Sequence, residues 1–366
     1  MSIIVFILVL IALILVHEFG HFLAAKWSGM RVDEFGIGYP PRAWGKKIGE
    51  TLYSINWLPF GGFVKIYGED PEPGAVPSPR AFSARPRILQ ALVLVAGIAM
   101  NLVFAWVLIS GTLALGTARA LSAEEVERAP DAVLAVANVL PGSPAAEAGL
   151  AQGDSILAIE GAGGSYEGAN PDLFTAFISE HEAGLPLTMQ VRSLAGEERT
   201  VTAATRKGIV ASDPERAALG VAVAPVGTVK VPWYEAPIEG AVLTWEITKD
   251  VAIALIAFFG GLLTFTADLS QVAGPVGIAG AVGDASATGL VALMTITALI
   301  SINLALINLL PIPALDGGRL LFVIIESIIR RPIPATFANS VNAIGFGLLI
   351  LLMVIVTASD IFKIVG

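Results

Sequence analysis

The chain of 366 residues contains no cysteine, so disulfides, thiolate metal ligands and a cysteine nucleophile are all excluded. A disulfide-linked partner is excluded with them. The chain is also poor in charge. Lys, Arg, Asp and Glu make up 14% of it, against about 25% in an ordinary soluble domain. The deficit is gathered into a few long uncharged runs, the pattern of an integral membrane protein that contacts the lipid bilayer. Histidine is scarce, at three residues, and the net charge of −9 argues against nucleic acid. No internal repeat is visible. The start of the chain lacks the basic flank of a signal peptide, and its apolar run contains His and Glu, so it reads as a span and not a cleaved leader.

What is present falls into segments. Ile3 to Val16 is unbroken and apolar, and its helical pattern continues through Ala25, close to the ~20 residues that cross a hydrocarbon core. Ile88 to Gly116, Ala285 to Leu315 and Val341 to Ser359 are likewise uncharged. Spans are expected near 3–25, 88–116, 287–312 and 341–359. Within the first membrane part, 1–118, a β region is expected over about 31–66, where Gly36-Ile37-Gly38 and Thr51 to Ile66 alternate like short strands. Asp70 to Pro79 is a proline-rich loop. From 121 to 226 the composition is that of a soluble α+β domain, with strands at Val133–Val139, Leu187–Val191 and Thr200–Ala204 and a helix at Pro171–His181. Residues 236–270 read as an amphipathic or re-entrant membrane-associated helix, and 285–366 as the second membrane part. The fold expected is an α-helical polytopic membrane protein with four transmembrane helices and a re-entrant β-hairpin, carrying one inserted α+β domain.

Charge orients it. Lys26–Arg87 holds nine Lys/Arg and six acids, whereas 117–284 holds nine and twenty-one. The positive-inside rule puts the first in the cytoplasm and the inserted domain outside.

His17-Glu18-Phe19-Gly20-His21 is an H-E-x-x-H sequence. Helical residues four apart are offset by about 40°, so both imidazoles face one metal, with Glu18 able to take a proton from metal-bound water. Ionisable groups inside a span default to a functional reading, against the blander one of histidines packed among neighbouring helices. Zinc takes a third protein ligand. Asp316, after Pro311-Ile312-Pro313 and before Gly317-Gly318, is the candidate. Read locally it fits equally well as a helix-ending Asp-Gly turn; the shortage of other intramembrane ligands favours the metal. Paired prolines would end the third span there, and the two glycines would permit a tight turn. His181 reads as a surface residue.

The H-E-F-G-H of the first span and Asn308-x-x-Pro-x-Pro-x-Leu-Asp316-Gly of the third resemble the paired signatures of site-2 proteases. So do Pro59-Phe60-Gly61-Gly62-Phe63-Val64-Lys65, Gly274-Pro275-Val276-Gly277-Ile278 and Ser301-Ile302-Asn303-Leu304. The likeness covers nearly the whole chain and is greatest to the bacterial regulator-of-sigma-E protease type. It implies an intramembrane zinc metalloendopeptidase in a bacterial inner membrane, multi-pass, with its active site near the cytoplasmic side. It implies Zn2+ held by His17, His21 and Asp316, Glu18 as base, and Asn308 on the substrate backbone. Gly61, Gly62 and Phe63 would belong to a β-hairpin that pairs with unwound substrate. Substrates implied are single-span membrane proteins, an anti-sigma factor or remnant signal peptides. Two features depart from the enterobacterial type: 121–226 has room for one PDZ domain, and Ala96-Gly97-Ile98-Ala99-Met100-Asn101 lacks a proline after the glycine.

The Gly142-Ser143-Pro144-Ala145 and Ala148-Gly149-Leu150 run looks like that of a bacterial PDZ domain, which makes the inserted extracytoplasmic domain PDZ-like. Leu219, Gly220 and Val221 would form its carboxylate-loop strand, facing a helix that carries Phe174 and Phe177. Such a domain either binds an extended chain or only excludes folded substrates. A peptide-holding scaffold and a metal transporter are the competing functional classes, and a scaffold would tolerate Glu18→Gln.

Overall fold

The computed structural model describes residues 2–69, 78–126, 129–193, 196–209, 213, 215–264 and 273–365. Most of the Asp70–Pro79 loop and the end of the 236–270 segment lie outside them. Contacts divide the chain into two compact units, Met1–Ala114 with Pro232–Gly366, and Leu115–Val231.

The first unit opens with α1 (Ser2–Trp27), which has no proline and no charge before Glu18. A two-strand element follows, β1 (Val32–Ile48) and β2 (Thr51–Ile66). Its pairing is doubled: Gly36 faces both Phe63 and Ser54, and Ile37 faces both Gly62 and Ile55. Each strand therefore bends back across the other, giving four short rows in the order 62–66, 32–37, 52–55 and 42–48. The expected simple hairpin is a four-row curl, because Gly38 (φ 79°) and Gly61 (φ 116°) take left-handed conformations that let the strands fold over. Buried polar side chains stitch the rows: Thr51 donates to the Val32 carbonyl (2.8 Å), Ser54 to Glu34 (2.6 Å) and Asn56 to the Gly38 carbonyl (3.0 Å). Trp44, Ile48, Ile55 and Trp57 are exposed. At the turn, Arg80 and Lys26 bond Glu50 and hold its carboxyl down at about 2. Helix α2 (Arg87–Leu115) then crosses α1 at close range. A methyl group on Gly20 would strike the Ala96 carbonyl, so the backbones touch where both helices are smallest.

The second unit contains β3 (Thr117–Ala120), α3 (Ala123–Val126), β4 (Val133–Val139), α4 (Pro144–Glu147), β5 (Ser155–Gly161), β6 (Gly164–Tyr166), α5 (Pro171–Glu180), β7 (Pro186–Arg192), β8 (Glu198–Ala204) and β9 (Val221–Val229). The strands form one sheet in the order β3-β9-β4-β5-β7-β8, with β6 beside β5. Helix α5 starts where Asn170 accepts from the Asp172 and Leu173 amides and Pro171 occupies the first turn. Phe174 and Ile178 on its inner face join Leu134, Ile159, Leu187, Met189 and Leu219 in the core. His181, expected at the surface, is 6% exposed. It ends α5 against Gly161, whose missing side chain makes room for the ring.

The first unit resumes with α6 (Ala236–Leu263), anchored where the Trp106 indole donates to the Pro237 carbonyl at 2.8 Å. Next come α7 (Pro275–Thr288), α8 (Leu290–Leu309), α9 (Asp316–Ile329) and α10 (Ala335–Val365). Four helical stretches among the described residues are long and apolar enough to cross a membrane: Ile3–Trp27, Arg87–Leu115, Leu290–Leu309 and Thr336–Lys363. Helix α6, with Glu239, Glu246, Lys249 and Asp250 along it, is not one of them. The third apolar run is shorter than its sequence suggests. Gly289 (φ 133°) separates α7 from α8, so the span begins at Leu290. Helix α7 is tied down by Asp360 of α10, which accepts from the Gly277 amide at 2.8 Å. Helix α9 is clasped at its far end by Glu326 to Arg87 (2.8 Å) at the start of α2.

Candidate metal centre

Two helices bring the candidate ligands together. On α1, His17 and His21 share one face, both 8% exposed. Asp316 is the first residue of α9. The chain reaches it through Pro311-Ile312-Pro313 and a left-handed Ala314 (φ 74°). The turn thus lies at Ala314, not at the glycines as the sequence suggested. Gly317 and Gly318 are helical and buried; side chains there would strike the Leu309, Leu310 and Ile312 carbonyls. Their role is to let α9 start hard against the end of α8.

Asp316 Oδ2 lies 3.0 Å from His17 Nε2 and 3.2 Å from His21 Nε2, and the two Nε2 atoms are 3.2 Å apart. Tetrahedral zinc with donors at about 2.0–2.1 Å would separate them by roughly 3.3 Å. Proton bookkeeping agrees. His21 Nδ1 is 2.8 Å from the Val93 carbonyl, which only accepts, so Nδ1 carries the proton and Nε2 presents a lone pair. Asp316 Oδ2 is buried without a hydrogen-bond donor. Three such atoms converging at 3.0–3.2 Å fit a cation, and the three residues form a group that could hold one.

Two residues on α2 support this arrangement, and the sequence reading gave neither a role. Gly97 leaves the space that the His21 ring fills; a methyl group there would collide with Nε2. Asn101 is fully buried, with its amide nitrogen 3.2 Å from His17 Nδ1. Its Oδ1 has no partner. Turning the amide by 180° sets Oδ1 on the Nδ1 proton, the contact that frees Nε2 for a metal. Ser301 of α8 donates to the Asn101 carbonyl at 2.8 Å, so α1, α2 and α8 meet at one level. The available signal was a buried-type amide in the middle of a span, four residues after a glycine. Gly97→Ala and Asn101→Leu are each expected to weaken zinc binding about 10–100-fold, the usual cost of losing an outer partner. Zinc titration of the purified variants measures it, and wild-type affinity in both would remove α2 from the centre.

Glu18 and His21 share a cavity of about 630 Å³ with Asp33, Tyr39, Gly62, Phe63, Asp316 and Arg319 among its lining residues. A Cβ built on Gly62 would meet the Glu18 stem at 3.5 Å, so the outermost β row runs beside the acid. Gly61 precedes it, pressed on the Tyr39 ring, and Phe63 stacks with Tyr39 at 6.5 Å between centroids. Of the candidate substrate residues, Gly62 and Phe63 reach the cavity. Asn308 sits half-buried on the last turn of α8 and does not line it. Leu219, Gly220 and Val221 belong to the second unit. There they line a groove of about 320 Å³ with Leu140, Phe174 and Ile178. The helix that faces this strand is the one carrying Phe174 and Phe177, as expected; it presents Phe174 and Ile178 to the groove, and Phe177 lies beside Tyr166.

The family model described as Peptidase family M50 matches residues 5–352. A protein of Clostridium perfringens is 37% identical over 361 residues, covering 99% of this chain and 98% of its own. Zinc metalloprotease RasP of Geobacillus kaustophilus is 29% identical over 444 residues, with 99% and 98% covered. RasP of Oceanobacillus iheyensis is 28% identical over 442 residues, with 98% of each covered. Kinship over almost every residue includes the helices that bring His17, His21 and Asp316 together, and the chain belongs to peptidase family M50, the zinc-dependent site-2 proteases.

Proposed function

We propose that the protein is an intramembrane endopeptidase that cuts single-span membrane proteins, anti-sigma factors or remnant signal peptides, within or beside the bilayer. The observation that carries this is the convergence of His17, His21 and Asp316 within 4.8 Å, with Glu18 on the same helix and sharing the cavity. These three side chains are the zinc ligands in this reading. Bound zinc supplies a Lewis acid and lowers the pKa of a coordinated water to about 7. Glu18 takes the proton from the attacking water and returns it to the departing amine.

A helical substrate hides its carbonyls, so the reading needs a way to unwind it. The outer β row, Gly61–Ile66, has a strand on one side only among the described residues. A substrate segment added there keeps its backbone groups bonded, as the bilayer demands, while one carbonyl meets the cavity. Asn308 is assigned to the substrate backbone by resemblance alone.

The Leu115–Val231 unit reads as a PDZ-like domain. In support, β9 pairs with β3 over Val226–Val229 and Pro225 accepts from the Leu121 amide, leaving Val221–Ala224 open beside α5. Positive-inside orientation sets this domain outside the inner membrane and the metal centre towards the cytoplasm. Single cysteines at Ser165 or Glu239 are then expected to react with an impermeant maleimide on intact cells. Those at Lys46 or Arg331 should react only once the membrane is opened; the reverse pattern sinks this orientation.

The decisive experiment uses purified protein in proteoliposomes with a single-span substrate. Cleavage inside the apolar segment is expected, lost with a zinc chelator and restored by added zinc. Turnover that survives full metal removal overturns the reading.

A further inference from the structure

Among the residues lining the metal-centre cavity are four carboxylates, Glu18, Asp33, Glu69 and Asp316, and two cations, Lys65 and Arg319. When water attacks a peptide carbonyl, one negative charge leaves Glu18 and appears on the carbonyl oxygen. The lining carboxylates outnumber the lining side-chain cations, so a cationic donor at the carbonyl oxygen would add to the Lewis acid that bound zinc would supply. We propose that Arg319 is a further catalytic residue, donating N–H groups to the carbonyl oxygen of the scissile peptide as charge develops on it. The proposal rests on the protease reading above.

Placement singles out Arg319. It stands three residues after Asp316 on α9, so the two share a helix face. Long helical side chains lean towards the preceding turn, which here holds Asp316. The guanidinium is paired with Glu69, three residues beyond the end of β2, whose outer row is the proposed substrate edge. A guanidinium has five N–H donors in a planar fork, enough for a carboxylate and a carbonyl oxygen together. Glu69 thus acts as a positioning residue, holding the fork at the cavity wall before substrate arrives. Lys65 is exposed, and strand alternation turns it to the face opposite Gly62, the residue beside Glu18.

The step balances. The water oxygen bonds to the carbonyl carbon, its proton passes to Glu18, and the carbonyl π pair moves onto the oxygen held by Arg319. That pair then returns, the C–N bond breaks, and the amine leaves with the proton from Glu18.

The test uses the full-length, zinc-loaded protein in proteoliposomes, with Arg319→Gln, Arg319→Lys and Glu69→Gln. Arg319→Gln is expected to lower kcat about 10²–10³-fold, the range for removing one oxyanion donor, with zinc content intact and KM within about threefold. Arg319→Lys should recover part of the loss. Glu69→Gln, which keeps the cation, should cost about tenfold at most. A peptidyl phosphonamidate, which mimics the tetrahedral oxyanion, should lose affinity in Arg319→Gln by the same factor as kcat/KM. Equal losses in Arg319→Gln and Glu69→Gln would make the pair a structural clasp and overturn the proposal. Zinc loss in Arg319→Gln, or unchanged phosphonamidate affinity, overturns it too. A wild-type protein that leaves the substrate whole fails the protease reading itself, before any variant is compared.

Discussion

Glu18→Gln is expected to abolish measurable cleavage while leaving fold and zinc in place. Glutamine matches glutamate in shape, so packing beside Gly62 survives. The converging donors come from His17, His21 and Asp316, so metal affinity does not depend on Glu18. What is lost is a group that accepts a proton in one step and returns it in the next. Removing a general base costs about 10²–10⁴ in rate, and both proton transfers here pass through the same oxygen atoms. The measurement is kcat on a single-span substrate in proteoliposomes, beside zinc content. Residual activity within about tenfold of wild type would remove Glu18 from the chemistry. A scaffold that merely holds peptides should be indifferent to the change. The same variant should retain uncut substrate, making it a trap for the natural one.

Asp316→Ala is expected to empty the metal centre. Its Oδ2 lies 3.0 and 3.2 Å from the Nε2 atoms of His17 and His21. Without it the remaining donors are two neutral histidines on one helix. Two ligands four residues apart hold zinc weakly unless a third fixes the geometry. Since losing an outer partner alone costs about 10–100-fold, losing this ligand should exceed a hundredfold or so. The helix should survive, because α9 remains tethered through Glu326 and Arg87 at its other end. Metal analysis after dialysis against a weak chelator gives the answer. Full occupancy in Asp316→Ala would mean that the third donor lies elsewhere.

Most of the candidate metal centre was legible because each of its three residues advertised itself. Two histidines and a glutamate inside an apolar run are costly there, and the aspartate stands where that run stops. The strands of the second unit were legible through alternation; β4 covers the same residues, Val133–Val139, that the pattern suggests. The rest depended on contacts between distant segments. Gly97 reads as one small residue among many until the His21 ring is seen against it. Helix α7 was missed because its last residues merge with the apolar run, where a single glycine marks the break, and α9 because Asp316 was read as the end of a span and not as the start of a helix. The four-row curl was missed because a doubled register leaves no trace in composition. His181 was misread because burial of a lone histidine depends on the glycine opposite it, 20 residues away in sequence.

The open outer row of the β curl has a cost even when no substrate is bound. Its outward N–H and C=O groups have no strand to pair with among the described residues, and a buried backbone group without a partner loses several kcal/mol. The idle enzyme must therefore keep that row wet. On the substrate-strand reading, the cavity of about 630 Å³ beside that row would serve as a hydrated vestibule, and an arriving segment would displace water bonded to the row. Plugging the vestibule with larger apolar side chains would then leave the row dry and the resting protein less stable, however well the new side chains packed.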